Sequence, residues 1–302
     1  MNDVLRFLSS TLLWPGLIGG ALLGWFYLWM GRKLSARLQG RQGPPFYQPF
    51  FDFVKLMGKK TVVPGGVNTA IFYGLPAAGL LSGIIALALI PVPGNPIQPF
   101  SGDLIVLLYL LEMPAICEVM AGYVSRSLYG QVGAAREAIM TLGYNLPFLA
   151  AVIALAIHAG SFNLHELASA PLSWVHLAAA VAFLIAIPAR LKSNPFSIPN
   201  AEQEIVAGAT TEYNGVPLAF FELAHGVELV ALVSLFSVLF IPAISNLAGG
   251  LAVYLVVGVI LVALVTVLAV ATARLKMNQA FRFYWLWGAL AAVAAFAAAF
   301  IR

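Results

Sequence analysis

Charge is scarce in this chain. Only 9% of its 302 residues are Asp, Glu, Lys or Arg, and the acidic residues number 12. A soluble domain carries about 25% charged residues, so a solvated surface of ordinary size is excluded. Cysteine is almost absent, with Cys117 standing alone. Without a second thiol the chain is expected to hold no iron–sulfur cluster, structural zinc or internal disulfide. It has no G-x-G-x-x-G and no Walker loop, which removes the common nucleotide-binding chemistries. No repeat of about 20–50 residues is evident, nor the half-to-half inverted similarity common in secondary transporters.

What is abundant is apolar. Hydrophobic residues make up 61% of the chain, and the mean hydropathy is +0.93. Apolar runs of about 20 residues, the length that crosses a bilayer core, recur along it. They fall at roughly 10–30, 68–92, 103–124, 134–158, 172–191, 217–242, 250–272 and 283–300. The expected fold class is all-α: a polytopic integral membrane protein of about eight transmembrane helices, forming one domain over 1–302. The first run is expected to be retained. It is too long for the apolar core of a signal peptide, and no A-x-A site precedes Arg32.

Basic residues fix the expected orientation. Connections one, three, five and seven carry Arg32, Lys33, Arg37, Arg41, Lys55, Lys59 and Lys60, then Arg126 and Arg136, then Arg190 and Lys192, then Arg274, Lys276 and Arg282. Arg6 and Arg302 alone fall on the other side. Cytoplasmic loops are therefore expected at about 31–67, 125–133, 192–216 and 273–282, with both termini outside. The net charge of +4 reflects this topology. Basic residues spread over separate loops give no reason to expect nucleic acid as a partner, whereas the lipid bilayer is an obligatory one.

Carboxylates inside the apolar runs need a reason, because a charge at mid-bilayer costs about 2.5–3.5 kcal/mol on insertion scales. The third run contains Glu112 and Glu118, and the sixth contains Glu222, His225 and Glu228. At 100° per residue, Glu222, His225 and Glu228 occupy one sector about 120° wide, with about 4.5 Å of rise between neighbours. That geometry suits a proton relay. Hydrogen bonding that glues the bundle is the competing reading. A metal site is the third, but one helix cannot supply the second ligand set of a carboxylate-bridged metal bundle.

The loops carry the rest. AEQEIVAGATTEYNG, from Ala201 to Gly215, gathers Glu202, Glu204 and Glu212, a quarter of the acids, in fifteen residues. In SRSLYGQVGAAREAIM, from Ser125 to Met140, Arg136 and Glu137 are expected where a helix enters the membrane. Gln48 to Lys60 reads as a short amphipathic helix. Phe50, Phe51, Phe53, Val54 and Met57 face lipid or protein, and Asp52, Lys55, Lys59 and Lys60 face outward. Such a helix is either an interfacial anchor or, with Arg37 and Arg41 as charged clamps, a docking surface for a soluble partner.

RKLSARLQGRQGP with QPFFDFVKL resembles the basic first segment and amphipathic helix of the quinone-proximal membrane subunit of respiratory complex I. AEQEIVAGATTEY resembles that family's acidic cytoplasmic loop between helices five and six. Only Pro45, Phe46 and Tyr47 separate Pro44 from Gln48, several residues fewer than the complex I subunits carry. The acidic loop reads A-E-Q-E-I rather than G-E-S-E-L, and GAAREAI is similar to energy-converting membrane-bound hydrogenases and the formate hydrogenlyase membrane subunit.

This resemblance implies a membrane anchor and coupling subunit of a hydrogenase-type, redox-driven ion-pumping oxidoreductase, with no complete active site in this chain alone. A quinone-reducing complex is the alternative, and a stand-alone secondary transporter a third. The resemblance implies a soluble arm with iron–sulfur clusters and a nickel–iron site, antiporter-like and small membrane subunits, and no cofactor bound by this chain. Glu202, Glu204, Glu212, Glu222, His225, Glu228, Glu112, Glu118 and Glu137 are the expected coupling residues. Arg37, Arg41, Asp52 and Arg136 are the expected docking residues. Asn145, Ser197 and Asn200 stand where the family often has acids, which points to a divergent member.

Overall fold

A computed structural model describes residues 2–97, 99–242, 244 and 246–300. Arg302, counted above among the basic residues, lies outside them. The described residues form helices and no strand. In order these are α1 (Asn2–Leu12), α2 (Leu17–Leu38), α3 (Gln48–Met57), α4 (Thr69–Leu89), α5 (Asp103–Val124), α6 (Leu128–Ala159), α7 (Leu164–Ser169) and α8 (Trp174–Arg190). There follow α9 (Glu202–Ile205), α10 (Gly215–Phe240), α11 (Leu247–Ala271), α12 (Met277–Phe283), a π-helical turn (Tyr284–Gly288) and α13 (Ala289–Phe300).

Seven segments are long and apolar enough to cross a membrane: Val4–Leu38, Thr69–Leu89, Asp103–Val124, Leu128–Ala159, Gly215–Phe240, Leu247–Ala271 and Met277–Phe300. The shorter α8 is the eighth apolar helix, at 17 residues. Its length, about 26 Å at 1.5 Å per residue, falls a little short of a core about 30 Å thick. α8 tolerates this because it is largely enclosed by protein, with Val175, Ala179, Ala182, Phe183, Ala186 and Ile187 buried at helical spacing.

α10 is the axial helix. Its apolar residues run all round its circumference, as expected of a helix surrounded by others, and 89% of its most apolar window is buried. α2 crosses it at two glycines: a Cβ on Gly24 would lie 2.9 Å from the Gly226 carbonyl. α11 and α13 are peripheral. Val256, Ile260, Leu264 and Val293 are more than 45% exposed, a lipid-facing surface rather than a solvated one.

The basic loops converge at one end. Asn214 grips the Val62 backbone at both its N–H (2.8 Å) and its carbonyl (3.0 Å). Arg136 pairs with Glu204 at 2.6 Å. The Arg274 side chain donates to the Ser197 hydroxyl (3.0 Å), and the Leu275 N–H donates to the Pro195 carbonyl (2.9 Å). Connections one, three, five and seven are thus bonded into one cap. At the other end Ser10 donates to Asn95 (2.9 Å) and the Leu164 N–H donates to Asp103 (2.8 Å).

Loop boundaries differ from expectation: α2 runs on to Leu38 and α12 begins at Met277, inside the loops placed at 31–67 and 273–282. The loop placed at 125–133 is non-helical only over 125–127, since α6 begins at Leu128. Arg136 and Glu137 therefore lie more than two turns inside a 32-residue helix, not at its start. The reason is packing. Gly133 lets the acidic loop press directly on α6, and a Cβ there would sit 2.4 Å from the Ala209 nitrogen. That contact stabilises helix where polarity alone indicated a loop.

Candidate functional site

Glu112, Glu118 and Glu228 of the apolar runs are held by two bases that the sequence placed in a loop. Arg190 is the last residue of α8 and its side chain is fully buried. It bonds Glu112 of α5 at 2.5 Å, Glu228 of α10 at 3.2 Å and the Leu111 carbonyl at 2.5 Å. Its guanidinium lies 4.6 Å from the centroid of Phe148 and 5.7 Å from that of Tyr144, both on α6. Three donors, two charges and an aromatic face together offset the desolvation of a buried cation.

Two residues further on, Lys192 makes a second cluster. It donates to Glu118 of α5 and lies 3.5 Å from Glu137 of α6. Burial pulls the Lys192 ammonium down, but Glu118 and Glu137 outweigh it and hold its pKa above the ordinary lysine value. Glu112 and Glu118 are six residues apart, so the two clusters are separated by about 9 Å of helix rise. The Lys192 cluster is nearer the basic cap.

α6 connects the layers. Thr141 bonds the Glu137 carbonyl (2.9 Å) and Tyr144 (3.2 Å). Asn145 donates to the second oxygen of Glu112 at 2.8 Å. Glu137 Oε2 and Asn145 Oδ1 are buried with no donor among the described residues. Asn145, where the resemblance led one to expect an acid, is thus an uncharged link in the same array.

The array opens toward the acidic loop. Glu204 is exposed and reaches Arg136, the chain neighbour of Glu137. Glu202 is exposed and Glu212 half-buried. Beneath them Tyr213 stacks on Phe72, with centroids 4.2 Å apart and planes within 4°, and burial raises the pKa of its hydroxyl. The loop is seated on a firm aromatic floor.

Glu222, His225 and Glu228 are graded in depth: exposed, half-buried and buried. No hydrogen bond joins them among the described residues. Glu228 belongs to the Arg190 cluster, while Glu222 lines a separate cavity of about 290 Å³ with Trp25, Arg32, Asp52, Lys55 and Lys59. The dominant contacts run between helices rather than along α10. Among the docking residues, Asp52 is held by Arg32 (3.2 Å) and Gln48 (2.8 Å), and Arg136 by Glu204. Arg37 and Arg41 are exposed, and Arg41 donates to Gln39.

Sequence reasoning missed Arg190 and Lys192 as site residues, having counted them with the loops, and it missed Tyr144. A signal was present. Pro114, Pro147 and Pro188 each interrupt an apolar helix two residues from Glu112, Asn145 and Arg190 respectively. A helix-interior proline frees carbonyls that neighbouring polar groups must satisfy.

A buried, alternating-charge array crossing four apolar helices defines a polytopic membrane protein built to hold ionisable groups away from lipid. Comparison with known proteins narrows the class. A family model described as NADH dehydrogenase matches residues 15–300, and the chain belongs to that family. The H subunit of the NADH-quinone oxidoreductase of Syntrophotalea carbinolica is 31% identical over 264 residues, covering 80% of each chain. An H subunit of the NADH-quinone oxidoreductase of Syntrophobacter fumaroxidans is 30% identical, covering 87% of this chain and 86% of its own. A chain in the structure of an archaeal membrane-bound sulfane sulfur reductase, a respiratory membrane complex, superposes with a TM-score of 0.89 at 29% identity. That match covers 99% of this chain and 100% of the other.

Proposed function

We propose that this chain is the membrane anchor and coupling subunit of a multisubunit, complex I-related oxidoreductase of the hydrogenase-type branch. It links redox chemistry in a soluble arm to proton or sodium translocation through the membrane. The observation that carries the reading is the Glu112–Arg190–Glu228 and Lys192–Glu118–Glu137 array beside the Arg136–Glu204 pair. The acidic loop meets the array through Arg136, which pairs with Glu204 and is the chain neighbour of Glu137, and this is the route by which a charge change in the loop would reach the buried groups. The relatives, two quinone oxidoreductase subunits and a sulfane sulfur reductase chain, support a subunit of a respiratory membrane complex. The chain binds no cofactor itself; iron–sulfur clusters and a nickel–iron site belong to partner subunits. It resides in the cytoplasmic membrane with the basic cap inside and both termini outside, beside antiporter-like and small membrane subunits.

The test is to replace Glu118 or Glu137 with Gln and assay electron transfer and ΔpH formation in sealed vesicles. Gln keeps the size and a hydrogen-bonding group but cannot titrate. Electron transfer with little or no pumping is the expected result. Full pumping in both variants refutes the coupling role.

A quinone-reducing complex is the second reading, favoured by the cavity between α2, α3 and α10 that Trp25 lines. Five of its lining residues, Arg32, Asp52, Lys55, Lys59 and Glu222, are charged, which suits a polar head better than an isoprenoid tail. Saturable binding of a short-chain quinone to the purified complex, lost on Trp25→Ala, would favour this reading over the hydrogenase-type one.

A further inference from the structure

A second cavity lies on the other side of α2. It is a groove of about 520 Å³ between the last turns of α2 and α11, closed from the side by the loop through Gly43 and Pro44 and by Ser193. Its polar lining is Arg32, Arg41, Ser35, Ser193 and Thr266, and its apolar floor is Val265, Ala269 and Pro44. Among the described residues no acid lines it, in contrast to the Trp25 cavity, where Asp52 and Glu222 balance the bases. Lys33 stands beside it, with its side chain 3.0 Å from where a Cβ on Gly43 would be.

The level of the groove in the membrane follows from the helices that form it. Arg32 and Ser35 lie in the last two turns of α2, which ends at Leu38. Val265, Thr266 and Ala269 lie in the last two turns of α11, which ends at Ala271. Both helices run out of apolar sequence here, where hydrocarbon gives way to headgroups.

We propose that this groove binds the headgroup of an anionic phospholipid. Arg41 and Arg32 contact the phosphodiester oxygens, while the hydroxyl of Ser35 donates to the same group; the Ser193 hydroxyl is already donated to the Pro188 carbonyl at 3.0 Å. Basic pockets between transmembrane helices on the cytoplasmic side attract such headgroups, with each base near the surface strengthening the attraction about fivefold. Arg32 shares its guanidinium with Asp52 at 3.2 Å, so Arg41 supplies the unshared charge at the groove. The assignment commits Arg41 to lipid rather than to a soluble partner, and it is independent of which redox chemistry the complex performs.

The experiment uses the full chain, purified in mild detergent with its accompanying subunits from vesicles of phosphatidylcholine containing a minor share of phosphatidylglycerol. Native mass spectrometry counts the retained lipids. Wild type is expected to retain phosphatidylglycerol in preference to phosphatidylcholine. Arg41→Gln should lower that retention about fivefold, and Arg41→Lys should recover most of it. Ala269→Phe fills the floor without altering charge and should lower retention as far. Arg37→Gln removes a charge that does not line the groove and should leave retention at the wild-type level.

Several outcomes overturn the proposal. Equal losses in Arg37→Gln and Arg41→Gln would mean a diffuse surface potential. An assembled Ala269→Phe protein with undiminished retention would place the lipid elsewhere. Displacement by millimolar inorganic phosphate would indicate a free-anion site. Loss of the soluble arm in Arg41→Gln with lipid retention unchanged would make Arg41 a protein-docking residue.

Discussion

Replacing Arg190 with Met removes the cation between Glu112 and Glu228 and keeps the length of the side chain. The structure sets the size of the effect. The side chain is fully buried, bonds both carboxylates at 2.5 and 3.2 Å, and donates to the Leu111 carbonyl. Removing one partner of a buried ion pair costs about 3–5 kcal/mol, because the remaining charge is left without compensation. Proton uptake by one carboxyl caps that cost, since a buried acid neutralises rather than stay charged alone. Arg190→Met is therefore expected to destabilise the chain by about 3–5 kcal/mol, and Glu228→Gln by less. In the double variant Glu228 no longer carries the stranded charge, so the two effects should not add. Contacting residues couple by about 0.5–3 kcal/mol, and a fully buried, hydrogen-bonded pair belongs near the top of that range. The assay is reversible unfolding of the four cycle members in mixed micelles titrated with sodium dodecyl sulfate. Additivity to within about 0.5 kcal/mol would refute the ion pair and with it the geometry of the site.

Substitutions at three positions test separate parts of the chain. Glu228→Gln retains a donor and an acceptor whereas Glu228→Leu retains neither; if Glu228 relays protons, both should abolish pumping and only Leu should lower the yield of assembled complex. Pumping by Glu228→Gln at the wild-type level would make the residue structural. Gly133→Leu should displace the acidic loop, because even a Cβ meets the Ala209 nitrogen at 2.4 Å; limited proteolysis between Glu202 and Glu212 should become much faster, and unchanged cleavage would count against that packing. Arg37→Ala should weaken retention of the soluble arm on washed membranes at low salt and less at high salt, since exposed charges are screened beyond about 8 Å at physiological ionic strength. Retention equal to wild type across the salt series would leave Arg37 as a topology determinant only.

The sequence by itself determined the membrane class, the apolar helices and the clustering of basic loops. These follow from one-dimensional quantities, run length and the side on which Lys and Arg fall, and neither needs a knowledge of packing. It also marked Glu112, Glu118 and Glu228 as costly, because any carboxylate within an apolar run must be compensated. Which groups compensate them was decided only by tertiary structure. Arg190 is 78 residues from Glu112 and 38 from Glu228, and a base at the end of an apolar run looks the same in sequence whether it turns outward to water or inward to acids. Helical periodicity placed Glu222, His225 and Glu228 in one sector of α10, and along a single helix that sector resembles a wire. Once α5, α6 and α8 pack around α10, the short distances run across the bundle, and the deepest of the three residues answers to Arg190 instead of to His225. Asn145 shows the same limit from the other direction. By the family pattern it was a lost acid, whereas beside Glu112 it is a donor at 2.8 Å, a role that exists only because α5 and α6 meet there.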